Sequence, residues 1–232
     1  LDVKDDYMNQ VYVTGLAANS AGKMGEAKIL FEELYEEKYE KAGIYDALYK
    51  IYSEDDFEKS YQYLEKGREL FPDDTGLLFT EINHFLKLGK MDELLGKLEM
   101  AIEKEPDNIS LYSTMGSVYN SLYKKETEAG NEDKAKVNFD KALSYFNQAL
   151  GKEPKYFDAL YSLGELYYNK AAALTIERNA VPLDNTKLYN ELGKQIDELF
   201  ETALPFFKKA ESLNPNDGNT LIALKEIFAR KN

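Results

Sequence analysis

Few side chains in this sequence could perform nucleophilic, acid–base or metal chemistry. Its 232 residues include one histidine, His84, and no cysteine. Disulfides, thiolate nucleophiles and zinc sites of the usual Cys/His type are therefore excluded. No serine, cysteine or metal-binding cluster accompanies His84, and its place on a predicted helix is one that packs inward. We therefore expect a structural histidine rather than a catalytic one.

Carboxylates occur in adjacent pairs at Asp5–Asp6, Asp55–Asp56 and Asp73–Asp74. These pairs lie at the terminus or at predicted turns, where Asp favours solvent and the start of a helix. General acid–base catalysis needs two carboxylates that face each other in a sheltered cleft, and the sequence has no Gly-rich phosphate loop. We therefore predict a protein that is not an enzyme and that uses no cofactor and no metal.

The charge of the chain limits its partners. Its 29 Lys and Arg residues against 42 Asp and Glu residues give a formal net charge of −13, and no basic stripe offsets it locally. Nucleic acid and anionic membrane surfaces are therefore poor partners, whereas basic partners are mildly favoured. No apolar run approaches the roughly 18 residues that a membrane helix needs, so we predict no membrane insertion.

Four prolines recur in one sequence context and indicate a repeat. Pro72, Pro106, Pro154 and Pro215 each follow a helix-like stretch and precede polar residues. Pro72 and Pro106 lie 34 residues apart, the period of a helix–turn–helix repeat. Proline cannot continue a helix, so it stops the second helix of each unit and sets the turn into the next.

Small and large residues recur on both helices of these units. Before each proline they are spaced by four and three residues, which places them on one helix face. The clearest sets there are Ala142, Phe146 and Ala149, and Ala203, Phe207 and Ala210. The first helices carry a large-x-x-Leu-Gly-x-x-Tyr pattern, as Tyr112, Met115, Gly116 and Tyr119, and as Leu160, Leu163, Gly164 and Tyr167.

Five copies of this pattern in register resemble the tetratricopeptide-repeat (TPR) family over nearly the whole chain. The resemblance implies an all-α, right-handed α-solenoid of five helix hairpins and a C-terminal capping helix, with the last two hairpins lengthened. We expect one domain over residues 1–232. Its expected repeats are 8–40, 41–74, 75–108, 109–156 and 157–217, and the capping helix is 218–232.

Repeats 4 and 5 exceed 34 residues by 14 and 27. The turn of repeat 3 falls at Gly89, and the matching turn of repeat 4, at residues 130–131, comes seven positions late. Seven residues are nearly two helical turns, so both helices lengthen with their buried faces in phase. A turn at 181–185 predicts helices of roughly 22 and 27 residues in repeat 5, kinked at Pro205. The alternative is a flexible loop over 171–196.

In the TPR family the usual ligand site is a concave surface lined by the first helices. Tyrosine offers a broad apolar face with a hydroxyl, and asparagine can pair with a peptide backbone. We therefore expect a protein partner that binds as an extended segment or a helix. The alternative is that these tyrosines pack against the next repeat and expose only their hydroxyls. The candidate groove residues are Tyr12, Tyr45, Tyr49, Tyr52, Phe79, Asn83, Asn120, Tyr161 and Tyr168.

A second functional hypothesis is a structural self-assembly module, a homo-oligomer in which the long C-terminal hairpins mediate dimerisation. The chain starts at Leu1 rather than Met, which a removed signal peptide and a trimmed chain explain equally well. The stretch from Asn214 to Leu221 resembles exported bacterial members of the family. An exported, periplasmic location in the cell envelope is therefore favoured, with the cytoplasm as the alternative.

Overall fold

The computed structural model describes residues 3–230. Over this range the chain forms eleven α-helices and no strand, so the prediction of an all-α protein is confirmed. The helices are α1 (Val3–Ser20), α2 (Met24–Glu36), α3 (Ala42–Tyr52), α4 (Phe57–Leu70), α5 (Thr75–Leu88), α6 (Met91–Lys104), α7 (Ile109–Glu128), α8 (Glu132–Lys152), α9 (Phe157–Asn179), α10 (Thr186–Leu213) and α11 (Gly218–Arg230).

The chain divides into two compact units, Leu1–Lys104 and Glu105–Asn232. In the first unit α1 packs on α2, α3 on α4, and α5 on α6. In the second unit α7 packs on α8, α9 on α10, and α11 against α10. These contacts pair consecutive helices as hairpins, and the expected repeat boundaries and the capping role of residues 218–232 stay predictions. The expectation of a single domain over 1–232 stays a prediction.

Helix ends form where the sequence has proline, aspartate and glycine. The Asp74 carboxylate accepts a hydrogen bond from the Leu77 N–H at 2.8 Å, and Asp56 accepts one from Lys59 N–H at 3.0 Å. The second residues of the Asp55–Asp56 and Asp73–Asp74 pairs therefore each cap a helix. At the turns between paired helices, Gly89 and Gly130 have φ of 65° and 74°, a left-handed conformation that glycine adopts without strain.

In the last two hairpins an aromatic ring of the second helix lies on a glycine of the first. A Cβ atom on Gly116 would lie 2.6 Å from the Phe146 ring, and one on Gly164 would lie 2.9 Å from the Phe207 ring. Both rings are almost fully buried. In the second hairpin the equivalent positions hold Leu48 and Leu64, so two buried leucines replace the glycine and the phenylalanine.

The last two hairpins are the longest. Helices α7 and α8 have 20 and 21 residues, and α9 and α10 have 23 and 28. The alternative of a flexible loop over 171–196 is wrong, because α9 runs to Asn179 and α10 starts at Thr186. Pro205 lies inside α10, and the kink expected there stays a prediction.

A buried ion network explains why a charged residue, Glu81, is tolerated at a repeat position that is normally apolar. Glu81 takes an apolar position on α5 and is buried. Its carboxylate accepts from Arg68 Nε at 3.0 Å and pairs with Lys97 Nζ at 2.9 Å. Arg68 Nη1 also donates to the Pro72 carbonyl at 2.9 Å. A buried carboxylate is tolerated because it is paired on both sides.

Replacing Gly116 by alanine should destabilise the second unit. The new methyl group must displace the Phe146 ring from its buried site, and such overpacking costs roughly 1–3 kcal/mol. Gly151→Ala is the control, because a Cβ there meets nothing within 4 Å and alanine favours a helix by up to about 1 kcal/mol. Urea denaturation measures both variants. Equal stability of the two variants would contradict the close contact inferred between Gly116 and the Phe146 ring.

Candidate functional site

Two of the candidate tyrosines are buried against second helices of the first unit. The Tyr45 ring meets the ring of Tyr35 on α2 at 5.8 Å, and its Cβ lies over Gly67 on α4. The ammonium groups of Lys28 on α2 and Lys59 on α4 lie 4.3 and 4.2 Å from the centre of the Tyr52 ring. The Tyr52 hydroxyl also donates to Glu32 on α2. These rings hold helices together, and their assignment to a binding groove stays a prediction.

Tyr49 belongs to an aromatic box around His84. The His84 ring stacks on Tyr61 and Phe57, with centroids 4.4 and 5.0 Å away. Its Nδ1 lies 3.3 Å from the Tyr49 hydroxyl, within hydrogen-bond distance. Burial lowers the pKa of His84, and the nearby ammonium of Lys90 lowers it further. These contacts give His84 a structural role as a packed side chain.

The remaining candidates of the first unit reach the surface. Asn83 is exposed, and Tyr12 and Phe79 are half-buried. The Lys41 ammonium lies 4.6 Å from the centre of the Tyr12 ring. Asn83 and Phe79 both lie on α5, four residues apart, on one side of that helix. An aromatic face and an amide are therefore available together on the surface of this unit.

In the second unit, Tyr161 and Tyr168 lie on α9 and are half-buried. Both rings meet Phe207 edge-on, with centroids 5.8 and 6.5 Å apart. The Tyr168 hydroxyl donates to Glu226 on α11. Burial, together with this hydrogen bond to a carboxylate, raises the pKa of Tyr168 to about 12. The hydroxyl therefore stays protonated and keeps α9 linked to α11 at ordinary pH.

Asn120 differs from the other candidates because its hydrogen bonding is incomplete. It lies on α7 with an exposed fraction of 5%, and its amide oxygen is buried with no hydrogen-bond partner. One turn further along α7, Lys124 Nζ pairs with Glu165 on α9 at 3.0 Å. The sequence does not predict this ion pair, because Lys124 and Glu165 lie on different helices. The face shared by α7 and α9 thus combines charged, aromatic and amide groups.

Residues 3–230 contain no group of three or more His, Cys, Asp or Glu side chains that could hold a metal ion. None of the helices described in this range combines the length and the apolarity that crossing a membrane requires.

No protein-family model and no curated protein matches this sequence, but solved structures do. MamA from Desulfovibrio magneticus RS-1 aligns with a TM-score of 0.64 and 14% identity, over 92% of this chain and 98% of that one. YrrB, described as a TPR protein with an unusual peptide-binding site, aligns with a TM-score of 0.61 and 18% identity, over 91% and 88%. This chain has the TPR fold.

MamA from AMB-1 aligns with a TM-score of 0.57 and 20% identity, over 94% of this chain and 97% of that chain. The predicted all-α solenoid of TPR-like hairpins is therefore confirmed. Because the identities are 20% or lower, the similarity establishes the TPR fold alone. The function has to follow from the residues of this chain.

The His84 box should make the stability of this protein depend on pH. The pKa of His84 is lowered in the folded state and is near 6.5 in an unfolded chain. Between these two values the unfolded state binds more protons, so the free energy of unfolding falls as the pH falls. From about pH 7.5 to about pH 5.5 the melting temperature should drop more for the wild type than for His84→Phe.

The phenylalanine ring keeps the stack on Phe57 and Tyr61 but cannot titrate. The carboxylates are common to both proteins, so the difference between the two melting curves isolates His84. Equal drops in melting temperature would show that the histidine titrates normally in the folded state.

Proposed function

We propose that the chain is a non-catalytic interaction scaffold that binds a segment of a protein partner on the face of its first helices. Two observations support a binding role over an enzymatic one. The fold is that of TPR proteins, one of which is described as having a peptide-binding site. The one histidine is enclosed by aromatic rings. The cell-envelope location expected from the sequence stays a prediction.

The Asn120 amide carries this proposal. A buried oxygen without a hydrogen bond costs roughly 1–3 kcal/mol, and such groups are rare in folded proteins. Rotation of the Asn120 side chain would bring this oxygen to the surface, where a peptide N–H group of a ligand on α7 would supply the missing donor. The neighbouring Tyr161 and Tyr168 on α9 offer aromatic faces for apolar side chains of the same segment.

The groove prediction separates into contact residues and supporting residues. The buried rings of Tyr45, Tyr49 and Tyr52 hold α3 in place. The contact residues that we propose are Tyr12, Phe79 and Asn83 in the first unit, and Asn120, Tyr161 and Tyr168 in the second.

Asn120→Leu should separate stability from binding. The substitution nearly preserves volume and removes an unpaired polar group, so the free energy of unfolding should stay the same or rise. Partner binding should fall by about tenfold or more, as expected for loss of a buried hydrogen bond to a ligand. The measurement is a pull-down from lysate of the source organism, quantified by mass spectrometry, beside a urea melt.

Asn147→Leu is the matched control, because Asn147 is exposed on α8 and donates only to the Leu143 carbonyl of its own helix. Proteins retained by the wild type and by Asn147→Leu, but lost by Asn120→Leu, would support the proposed face. Equal retention by all three would contradict it.

Self-association is a second candidate function, favoured by apolar side chains at the tip of the α9–α10 hairpin. Leu183, Ile176 and Tyr189 have exposed fractions of 99%, 73% and 46%. Their burial against a second copy would remove this apolar surface from water.

If these side chains form the interface, sedimentation should show a dimer that Leu183→Ser/Tyr189→Ser abolishes. Leu221→Ser is the control at an exposed leucine on α11. A wild-type chain that sediments as a monomer at all concentrations would exclude this function.

A further inference from the structure

A large cleft separates the tip of the α7–α8 hairpin from the C-terminal half of α9, within the second unit. It has a volume of about 1340 Å³. Sites for small molecules measure roughly 300–1,000 Å³, so this cleft is on the scale of a polypeptide segment. Its wall on α9 runs from Asn169 to Glu177, about 12 Å at 1.5 Å per residue. This length matches about two turns of a helix.

The floor of the cleft is apolar. Tyr123 and Phe139 are buried and meet edge-on, with ring centroids 5.3 Å apart. Beside them Ala172 and Ala173 line the cleft, and their small side chains allow another backbone to approach α9 closely. Ile176, at the outer end, is 73% exposed. A ligand with apolar side chains on one face would cover these groups.

The rim of the cleft is acidic. Glu128, Glu132, Asp133 and Glu177 line it and are exposed. None of the four forms an ion pair with any residue between positions 3 and 230. The field at the rim is therefore negative.

The three lysines that line the cleft do not balance its five carboxylates, so the lining keeps a net negative charge. Lys136 pairs with Asp140 at 2.8 Å, and Lys124 pairs with Glu165 at 3.0 Å. The Lys170 ammonium lies 4.3 Å from the centre of the Phe139 ring. Charge complementarity therefore selects a ligand that carries Lys or Arg beside its apolar side chains.

An unpaired donor adds to this chemistry. Asn169 lines the cleft, and its amide nitrogen is buried without a hydrogen-bond partner. A polypeptide ligand offers carbonyl oxygens that can accept from this group. The ligand is thereby expected to combine an apolar face, a basic face and a free backbone or side-chain carbonyl.

We propose that this cleft is a docking site for a basic amphipathic helix of a protein partner, about two turns of which enter the cleft. The lengthened parts of the hairpins supply the site, and Asn120 is not among the residues that line it. The apolar face of the helix lies on Ala172, Ala173 and Ile176, and its Lys and Arg side chains meet the acidic rim.

The test uses a synthetic fluorescent helical peptide with leucines on one face and lysines on the other, and fluorescence anisotropy with the full chain. A permuted peptide of the same composition, without the amphipathic spacing, is the control probe. The wild-type chain should bind the amphipathic probe about tenfold more tightly than the permuted one. Equal affinities, or no binding of the amphipathic probe, would overturn the proposal.

Matched variants locate the binding. Ala173→Glu places a bulky charge on the cleft floor, whereas Val137→Glu adds the same charge at an exposed position of α8 outside the cleft lining. The first should weaken probe binding about tenfold and the second less than about twofold. Ile176→Ser, at an exposed site that folding does not require, should also weaken binding. Equal effects of Ala173→Glu and Val137→Glu on probe binding would contradict the proposed location of the site.

The rim is tested by Glu128→Gln/Asp133→Asn/Glu177→Gln against Glu54→Gln/Asp55→Asn/Glu58→Gln, an exposed acidic set in the first unit. Only the rim variant should lose affinity and show a weaker dependence on salt. Asn120→Leu should bind the probe like the wild type, so this result is independent of the function proposed for that face. Loss of probe binding in Asn120→Leu alone would place the probe on the other face and overturn the proposal.

Discussion

The packing of an aromatic ring against a glycine of the paired helix controls how closely the two helices of a long hairpin approach each other. Phe146 on Gly116 and Phe207 on Gly164 bring two helices to a distance that other side chains would prevent. The contact also fixes rotation and register, because a ring can reach a bare Cα only from one direction. Each candidate functional residue of the second unit lies one turn from such a glycine: Asn120 follows Gly116 by four positions, and Tyr168 follows Gly164 by four.

The limits of the hairpins could be predicted because they depend on local chemistry. Proline, an aspartate cap and a left-handed glycine act within a few residues of one another. The placement of Tyr45 and Tyr52 could not be predicted in this way. A repeat position gives the angle of a side chain on its own helix, but the space that it enters belongs to α2 and α4. Glu81 is similar, because its partner Arg68 lies on another helix.

The features that suggest binding depend on side chains that meet only after folding. An amide oxygen without a donor, as in Asn120, has no signature in the sequence, since every asparagine looks alike there. The acidic rim likewise could not be predicted from the formal net charge of −13, because that number does not say where the charges lie. The rim results from five carboxylates that folding gathers at the cleft beside three lysines.

The lengthened hairpins carry a consequence for how this architecture can change over evolution. A segment of seven residues turns an α-helix by 700°, only about 20° short of two full turns. Heptad insertions made on both arms therefore preserve the facing surfaces, whereas a shift of two residues on one arm would rotate its apolar stripe away from its partner. Insertions of about seven residues in both helices are therefore retained more readily than insertions of other lengths. The length of a hairpin can then differ between homologous proteins while the packing of its core stays the same.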